Sequence, residues 1–195
     1  MSTLPSLFLS HGAPTLPLTD APARAFLSGL GGVLTPPKAI LMVSAHWETA
    51  VPTVSAGERN ETIHDFQGFP RALYEMKYNA PGSPAVAARV ADLLRIAGID
   101  CNIDRSRGLE HGAWVPLLLM YPHANIPVLQ LSIQPHRGPQ HHLDVGRALA
   151  ALRLEACWSS AAAASPTIYR NFAVTTSMIR HPIGSTVLPT GFTAN

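Results

Sequence analysis

Ala39-Ile40-Leu41-Met42-Val43-Ser44-Ala45-His46 is an apolar run that ends at an imidazole. A shorter version, Ser6-Leu7-Phe8-Leu9-Ser10-His11, stands near the start of the chain. Runs of this length, closed by a ligand-type side chain, read as buried strands that deliver that side chain to the rim of a sheet. In an α/β protein the rim is where sites are built. Gly12 after His11 and Trp47-Glu48 after His46 fit a tight exit from each strand.

Outward from these strands, the pattern alternates. Ala21 to Leu30 has helical character and stops at Gly31-Gly32, and Pro36-Pro37 resets the chain before the Ala39 to Ser44 strand. Val51 to Ser55 reads as a third strand, either at an edge or as a short piece, because Pro52 cannot donate to a ladder. Gly57 to Pro84 is a long loop containing Phe66, Phe69, Tyr74 and Tyr78, the composition of a pocket wall or lid. Pro84 to Ala97 is the clearest helix, with Val86, Val90, Leu93 and Leu94 at helical spacing and Gly98 as its stop. Ile99 to Ile103 reads as a short strand. His111 to Tyr121 reads as a buried helix, since Pro116 would damage a central strand. Ile126 to Ile133 is a buried strand and His141 to Leu154 a helix. Strands alternating with helices predict an α/β fold, a central sheet flanked by helices with the site at the strand ends.

The 195 residues suffice for one domain with a full core. With 14 basic and 12 acidic residues, a net charge of +2 and only 13% charged residues, the chain offers no charge reservoir for nucleic acid or an anionic membrane. No apolar run is long enough for a membrane span. Cys101 and Cys157 do not form a disulfide framework, and the start lacks a secretory pattern, so a reducing cytoplasm is expected.

Nine histidines are the chemical signal. His123, His136, His141 and His142 lie in loop-like polar sequence and read as surface or hydrogen-bonded residues. His11 and His46 differ because each ends a strand, where neutral imidazole is a strong ligand for iron, zinc or copper. His111, in Gly108-Leu109-Glu110-His111-Gly112-Ala113-Trp114, opens a helix, a position suited to a proton shuttle or a hydrogen bond to an oxygen ligand. His64-Asp65 reads either as part of the pocket wall or as a structural pair in the loop. No Ser-His-acid spacing, glycine-rich phosphate loop or paired-cysteine motif is present, which leaves metal chemistry.

Five motifs carry a resemblance: Phe8-Leu9-Ser10-His11-Gly12, Val43-Ser44-Ala45-His46-Trp47-Glu48, His64-Asp65-Phe66-Gln67-Gly68-Phe69-Pro70, Tyr78-Asn79-Ala80-Pro81-Gly82, and Gly108 through Leu117. Together, over about residues 3 to 155, they resemble the DOPA-dioxygenase type of class III extradiol ring-cleaving dioxygenases. The resemblance implies an oxidoreductase that opens catechol-like aromatic diols with dioxygen. It implies Fe(II) as cofactor, with Zn(II) at the same site in some members, held by His11 and His46. His111 is then the catalytic histidine and His64 a substrate-binding one. Gln67 departs from the aromatic residue usual in the family, a difference confined to pocket detail. A small aromatic diol and dioxygen are the partners expected, and no oligomeric state is assigned.

The resemblance stops near Glu155. Ala156-Cys157-Trp158-Ser159-Ser160 and the four alanines that follow fit nothing expected of a core strand, where the family would place Gly-Val-Leu-Val-Val-Gly-Ser-Gly-Ser-Leu-Thr-His-Asn. The genetic code connects the two. Trp158 has the single codon TGG, so moving the frame back one nucleotide turns a TCN codon at Ser159 into GTC, valine. Ser160 then becomes Phe, Leu, Ile or Val, the alanines become Gly, Ser, Arg or Cys, and Pro166, Thr167 and Ile168 can become Thr, His and Asn. The chain therefore reads as an incomplete extradiol dioxygenase-like α/β domain over 1–155 and a frameshifted tail over 156–195, so that its C-terminal part is truncated or frameshifted. On this reading the family histidine at the position of Thr167 and a later histidine ligand are absent, His181 is out of frame, and a missing strand and helix uncover apolar surface. The alternatives are an inactive, non-catalytic binding protein of the same fold, which would hold metal weakly or not at all, and a zinc hydrolase.

Overall fold

The computed structural model describes residues 4–10 and 12–163. Six strands form one sheet in the order β1-β6-β2-β5-β3-β4, from β1 (Ser6–Ser10), β2 (Ala39–Glu48), β3 (Thr53–Ser55), β4 (Asn102–Asp104), β5 (Val128–Ile133) and β6 (Cys157–Ala163). The helices are α1 (Pro22–Val33), α2 (Arg71–Glu75), α3 (Pro84–Ile96), α4 (His111–Met120) and α5 (Gly138–Ala148), the last continued by a 3-10 segment, Leu149–Glu155. The expected α/β architecture is present.

β2 explains why the sheet needs cover on both sides. Ile40 and Met42 join one apolar cluster with Leu27, Trp114 and Leu117, while Ala39 and Leu41 join a second with Val90, Leu94, Leu129 and Val145. Alternate side chains thus enter opposite cores, and all six residues of β5 are buried. Continuous apolar runs are what a parallel strand covered on both faces requires. The first cluster packs under α1 and α4, the second under α3 and α5. Helix α4 carries Pro116 in its interior and is buried along most of its length, as the sequence predicts.

Two expectations need adjustment. Of the two readings of Val51 to Ser55 the short piece holds and the edge does not: β3 has three residues and lies between β5, antiparallel to it, and β4, parallel to it. Pro52 is tolerated because it precedes the ladder and contributes only its carbonyl, which accepts from the Asn102 N–H at 2.8 Å. The segment after Ala156 does form a strand. β6 runs parallel between β1 and β2, Ser159 opposite both Ser6 and Leu41, so the slot expected to be vacant is bridged. Main-chain pairing asks for extended backbone rather than for particular side chains. His11, Thr167 and His181 lie outside the described residues.

Gly31 marks the tightest helix contact. A Cβ there would sit 2.0 Å from the Met120 carbonyl oxygen, so α1 crosses the end of α4 on bare backbone, whereas a Cβ on Gly29 of the same helix meets nothing within 4 Å. Gly31→Ala is therefore expected to destabilise the fold by about 1–3 kcal/mol. Gly29→Ala should leave stability level or raised by up to about 1 kcal/mol. Denaturant unfolding of the two variants checks the contrast.

Candidate functional site

His46 lies in the irregular upper part of β2. The β2–β5 register is regular up to Val43–Leu131, shifts, and resumes at Glu48–Ile133. Within that shift the Ser44 hydroxyl accepts from the His46 backbone N–H at 3.2 Å. Irregular pairing of this kind re-aims a side chain, and it occurs often beside active sites. Next to it, Trp47 is buried beneath the guanidinium of Arg107, 5.1 Å from the ring centre.

α4 begins at the same level. Glu110, fully buried, caps the helix by accepting from Gly112 N–H at 2.7 Å, and its other oxygen accepts from the Gln130 side-chain amide at 2.7 Å. Gln130 returns the contact by accepting from the Glu110 backbone N–H at 3.1 Å. The capping fixes His111 as the first residue of α4, where its ring lies 4.1 Å from that of His46 at 40°. Gly112 makes the approach possible. A Cβ there would stand 2.6 Å from the Ser44 hydroxyl and 3.0 Å from both a Glu110 carboxyl oxygen and His46 Cδ2.

The third member comes from the long loop. Asp65 Oδ1 accepts from His111 Nδ1 at 2.8 Å and from the His111 backbone N–H at 3.1 Å. Burial works to raise the Asp65 carboxyl, but the hydrogen bonds from His111 outweigh it and hold the group below its usual range. His46 is pushed below its usual value by burial and then by His111, against the opposing pull of Glu110 and Asp65. A lowered value keeps that imidazole neutral, the form that ligates.

His46, Asp65 and His111 each present a ligand-type atom within 4.8 Å of the others. The His46 imidazole is a donor that suits a divalent iron or zinc ion, and the hydrogen-bonded Asp65–His111 pair lies beside it, so the chemistry of the place fits a metal. Among the described residues these three are the group of this kind that stands out.

The loop expectation is met in part. Phe66 packs edge-on to His64, Phe69 and His111 at 5.6, 5.4 and 5.8 Å, and lies 5.3 Å from Tyr74, so an aromatic wall does border the histidines. Tyr78 is no part of it. It is 1% exposed in the first core cluster, where burial pushes its hydroxyl well above the ordinary range. His64 stands behind the wall, Nε2 3.0 Å from the Met76 carbonyl and its ring 5.8 Å from Trp114. Asp65 thus pairs across the fold with His111 rather than with its neighbour His64. His142 and His141 bond instead to Gln134 at the end of β5, at 3.1 Å each.

Sequence reasoning passed over Asp65 as a partner of His111, and it passed over Glu110 and Gln130. The signal available was Glu110 immediately before a helix-opening His-Gly, which is an N-cap position.

Residues 6–158 match the family described as the catalytic LigB subunit of aromatic ring-opening dioxygenase. The 4,5-DOPA dioxygenase extradiol of Beta vulgaris is 51% identical over 154 residues, covering 77% of this chain and 58% of its own length. The protein of the same name from Escherichia coli K12 is 48% identical over 153 residues, covering 78% and 56%. The crystal structure of an uncharacterized protein from Escherichia coli K12 matches with a TM-score of 0.66 at 39% identity, over 82% of this chain and 59% of that one. The chain spans somewhat over half the length of these relatives.

Gly112→Ala should cost about 1–3 kcal/mol through overpacking and push the His46 ring away from His111. Loss of the ring-to-ring nuclear Overhauser contact, with far-UV circular dichroism retained, is the expected result.

Proposed function

Since the chain belongs to the family of catalytic LigB subunits of aromatic ring-opening dioxygenases, we propose that it serves extradiol cleavage of a catechol-like aromatic diol by dioxygen. The observation that carries this reading is the convergence of His46, Asp65 and His111 within 4.8 Å, beside an aromatic wall. His46 is a proposed metal ligand, and His11, the residue that follows β1 in the sequence, is its proposed companion. The ion is proposed to be Fe(II), with Zn(II) able to occupy the same ligands. When bound it would supply acidity to the diol hydroxyls and open positions that gather diol and dioxygen.

The protein's own groups supply the rest. The downward shift of His46, from partial desolvation and the neighbouring His111, favours the neutral imidazole whose lone pair can ligate. His111, only 8% exposed at its side chain, holds or takes up a proton at its imidazole next to the reacting diol. Phe66, Phe69 and Tyr74 offer apolar faces to an aromatic ring and shed water from it. His64 contributes to substrate binding by bracing that wall, fixed through Met76 and Trp114.

No helix among the described residues is long and apolar enough to cross a membrane. Cys101 is a buried thiol, which supports a reducing, cytoplasmic setting. We further propose that residues 156–195 are read out of frame. The family match ends at residue 158, close to where the codon argument puts the break.

Two measurements test these readings. Sequencing the coding DNA around the Glu155 codon should reveal a one-nucleotide correction that restores the family strand and opens a longer frame; its absence removes the frameshift proposal. The chain and its frame-restored version, loaded anaerobically with Fe(II), are then given a catechol panel that includes DOPA. Oxygen uptake with a yellow ring-opened product is expected, and His46→Ala should lower it by at least about 100-fold. Catechol turnover by neither protein would overturn the ring-cleavage reading.

A further inference from the structure

We propose that Asp65 is a positioning residue whose carboxylate sets both the orientation and the tautomer of the His111 imidazole. The inference deepens the ring-cleavage reading, on which its kinetic arm rests.

The geometry is a chelate. One oxygen, Asp65 Oδ1, takes the ring Nδ1 at 2.8 Å and the backbone N–H at 3.1 Å of the same residue. Two donors separated by the side-chain torsions of His111 and converging on a single point leave those torsions little freedom. The ring is also confined on its faces and edges by Phe66 at 5.8 Å and His46 at 4.1 Å. Since Phe66 follows Asp65 directly, two successive loop residues grip one imidazole. The backbone bond has a second use: it satisfies an N–H in the first turn of α4, which has no partner inside the helix.

The tautomer follows from acceptor chemistry. An ionised carboxylate can only accept, so Nδ1 must carry the hydrogen and Nε2 becomes the nitrogen through which His111 meets anything else. Glu110 does not compete for Nδ1. Its nearest oxygen is 3.9 Å away, and both its oxygens are engaged by Gly112 and Gln130. Asp65 therefore acts on the site through His111, which is a different role from direct ligation: with Oδ1 shared between two His111 donors, ligation through that oxygen would require the pair to separate.

Nuclear magnetic resonance of the imidazoles in the metal-free chain, through long-range proton–nitrogen correlations, tests the tautomer directly. His142 provides an internal reference, since Gln134 N–H donates to its Nε2 and its Nδ1 faces the Gly138 carbonyl at 2.9 Å. His111 is expected to show the same Nδ1–H pattern as His142. In Asp65→Ala it should lose that pattern while His142 keeps it. Asp65→Asn, whose side-chain oxygen still accepts, should retain it. An Nε2–H tautomer in the unaltered chain, or no change in Asp65→Ala, would overturn the proposal.

Zinc titration separates positioning from ligation. Asp65→Asn should keep zinc affinity close to that of the parent chain, whereas a loss of about tenfold or more with the tautomer retained would make Asp65 a ligand and overturn the proposal. In the Fe(II)-loaded protein with a catechol, Asp65→Ala should lower kcat about 10–100-fold with KM little changed, and Asp65→Asn should recover part of it. An unaltered kcat in Asp65→Ala, in a protein that turns over catechol, would also overturn it. Failure of all catechol turnover sinks the ring-cleavage reading alone, because the tautomer and zinc arms need no substrate.

Discussion

A reciprocal pair of hydrogen bonds between Glu110 and Gln130, both fully buried, is the joint on which the site depends. Gln130 sits in the middle of β5, opposite Met42 of β2, and its own backbone N–H is held by the Ser55 hydroxyl of β3 at 2.8 Å. One amide side chain thereby ties the start of α4 to the centre of the sheet. A buried carboxyl is costly without partners, and here each oxygen has one. Removing either half would leave the other group unpaired in the interior, which costs more than the bond itself contributes. With α4 anchored at that height, His111 has no choice but to stand beside His46.

The rest of the site is arranged around this joint by three different kinds of structure. The sheet contributes His46 through a break in its register, α4 contributes His111 through its first turn, and the loop contributes Asp65 and Phe66. The rigid elements hold the two imidazoles, and the loop supplies the orienting carboxylate and the aromatic wall. The loop is itself tied down: Thr62 pairs with Leu109 in an isolated bridge, and the Trp114 indole N–H donates to the Ile63 carbonyl at 3.0 Å. These ties run to α4 and the segment leading into it, so the loop and the helix are fixed relative to one another.

What the sequence made legible follows from what is local. Apolar runs ending in histidine announced β1 and β2, helical spacing after a proline announced α3, and Pro116 argued correctly for a helix in α4. Burial of β2 on both faces could be anticipated from its unbroken apolar character. Long-range pairings were hidden. Nothing in Pro52-Thr53-Val54-Ser55 indicates that it lies inside the sheet, because strand neighbours are chosen by tertiary packing. The Asp65–His111 bond spans 46 residues, while the adjacent His64 offered the more obvious partner in sequence. Glu110 was passed over because a carboxylate is among the side chains least often buried. β6 was misjudged for a related reason: side-chain character says little about a strand whose two neighbours already supply its hydrogen bonds.

The two cysteines take on a different meaning once the chain is proposed to handle iron and dioxygen. Burial pushes the Cys157 thiol up to about 11, with Glu155 adding to the effect, and burial raises Cys101 as well. Oxidation to sulfenic acid proceeds through the thiolate, so thiols held protonated in apolar surroundings react slowly with peroxide. The second core cluster, which encloses both sulfurs, thus keeps them in the protonated, slowly oxidised form.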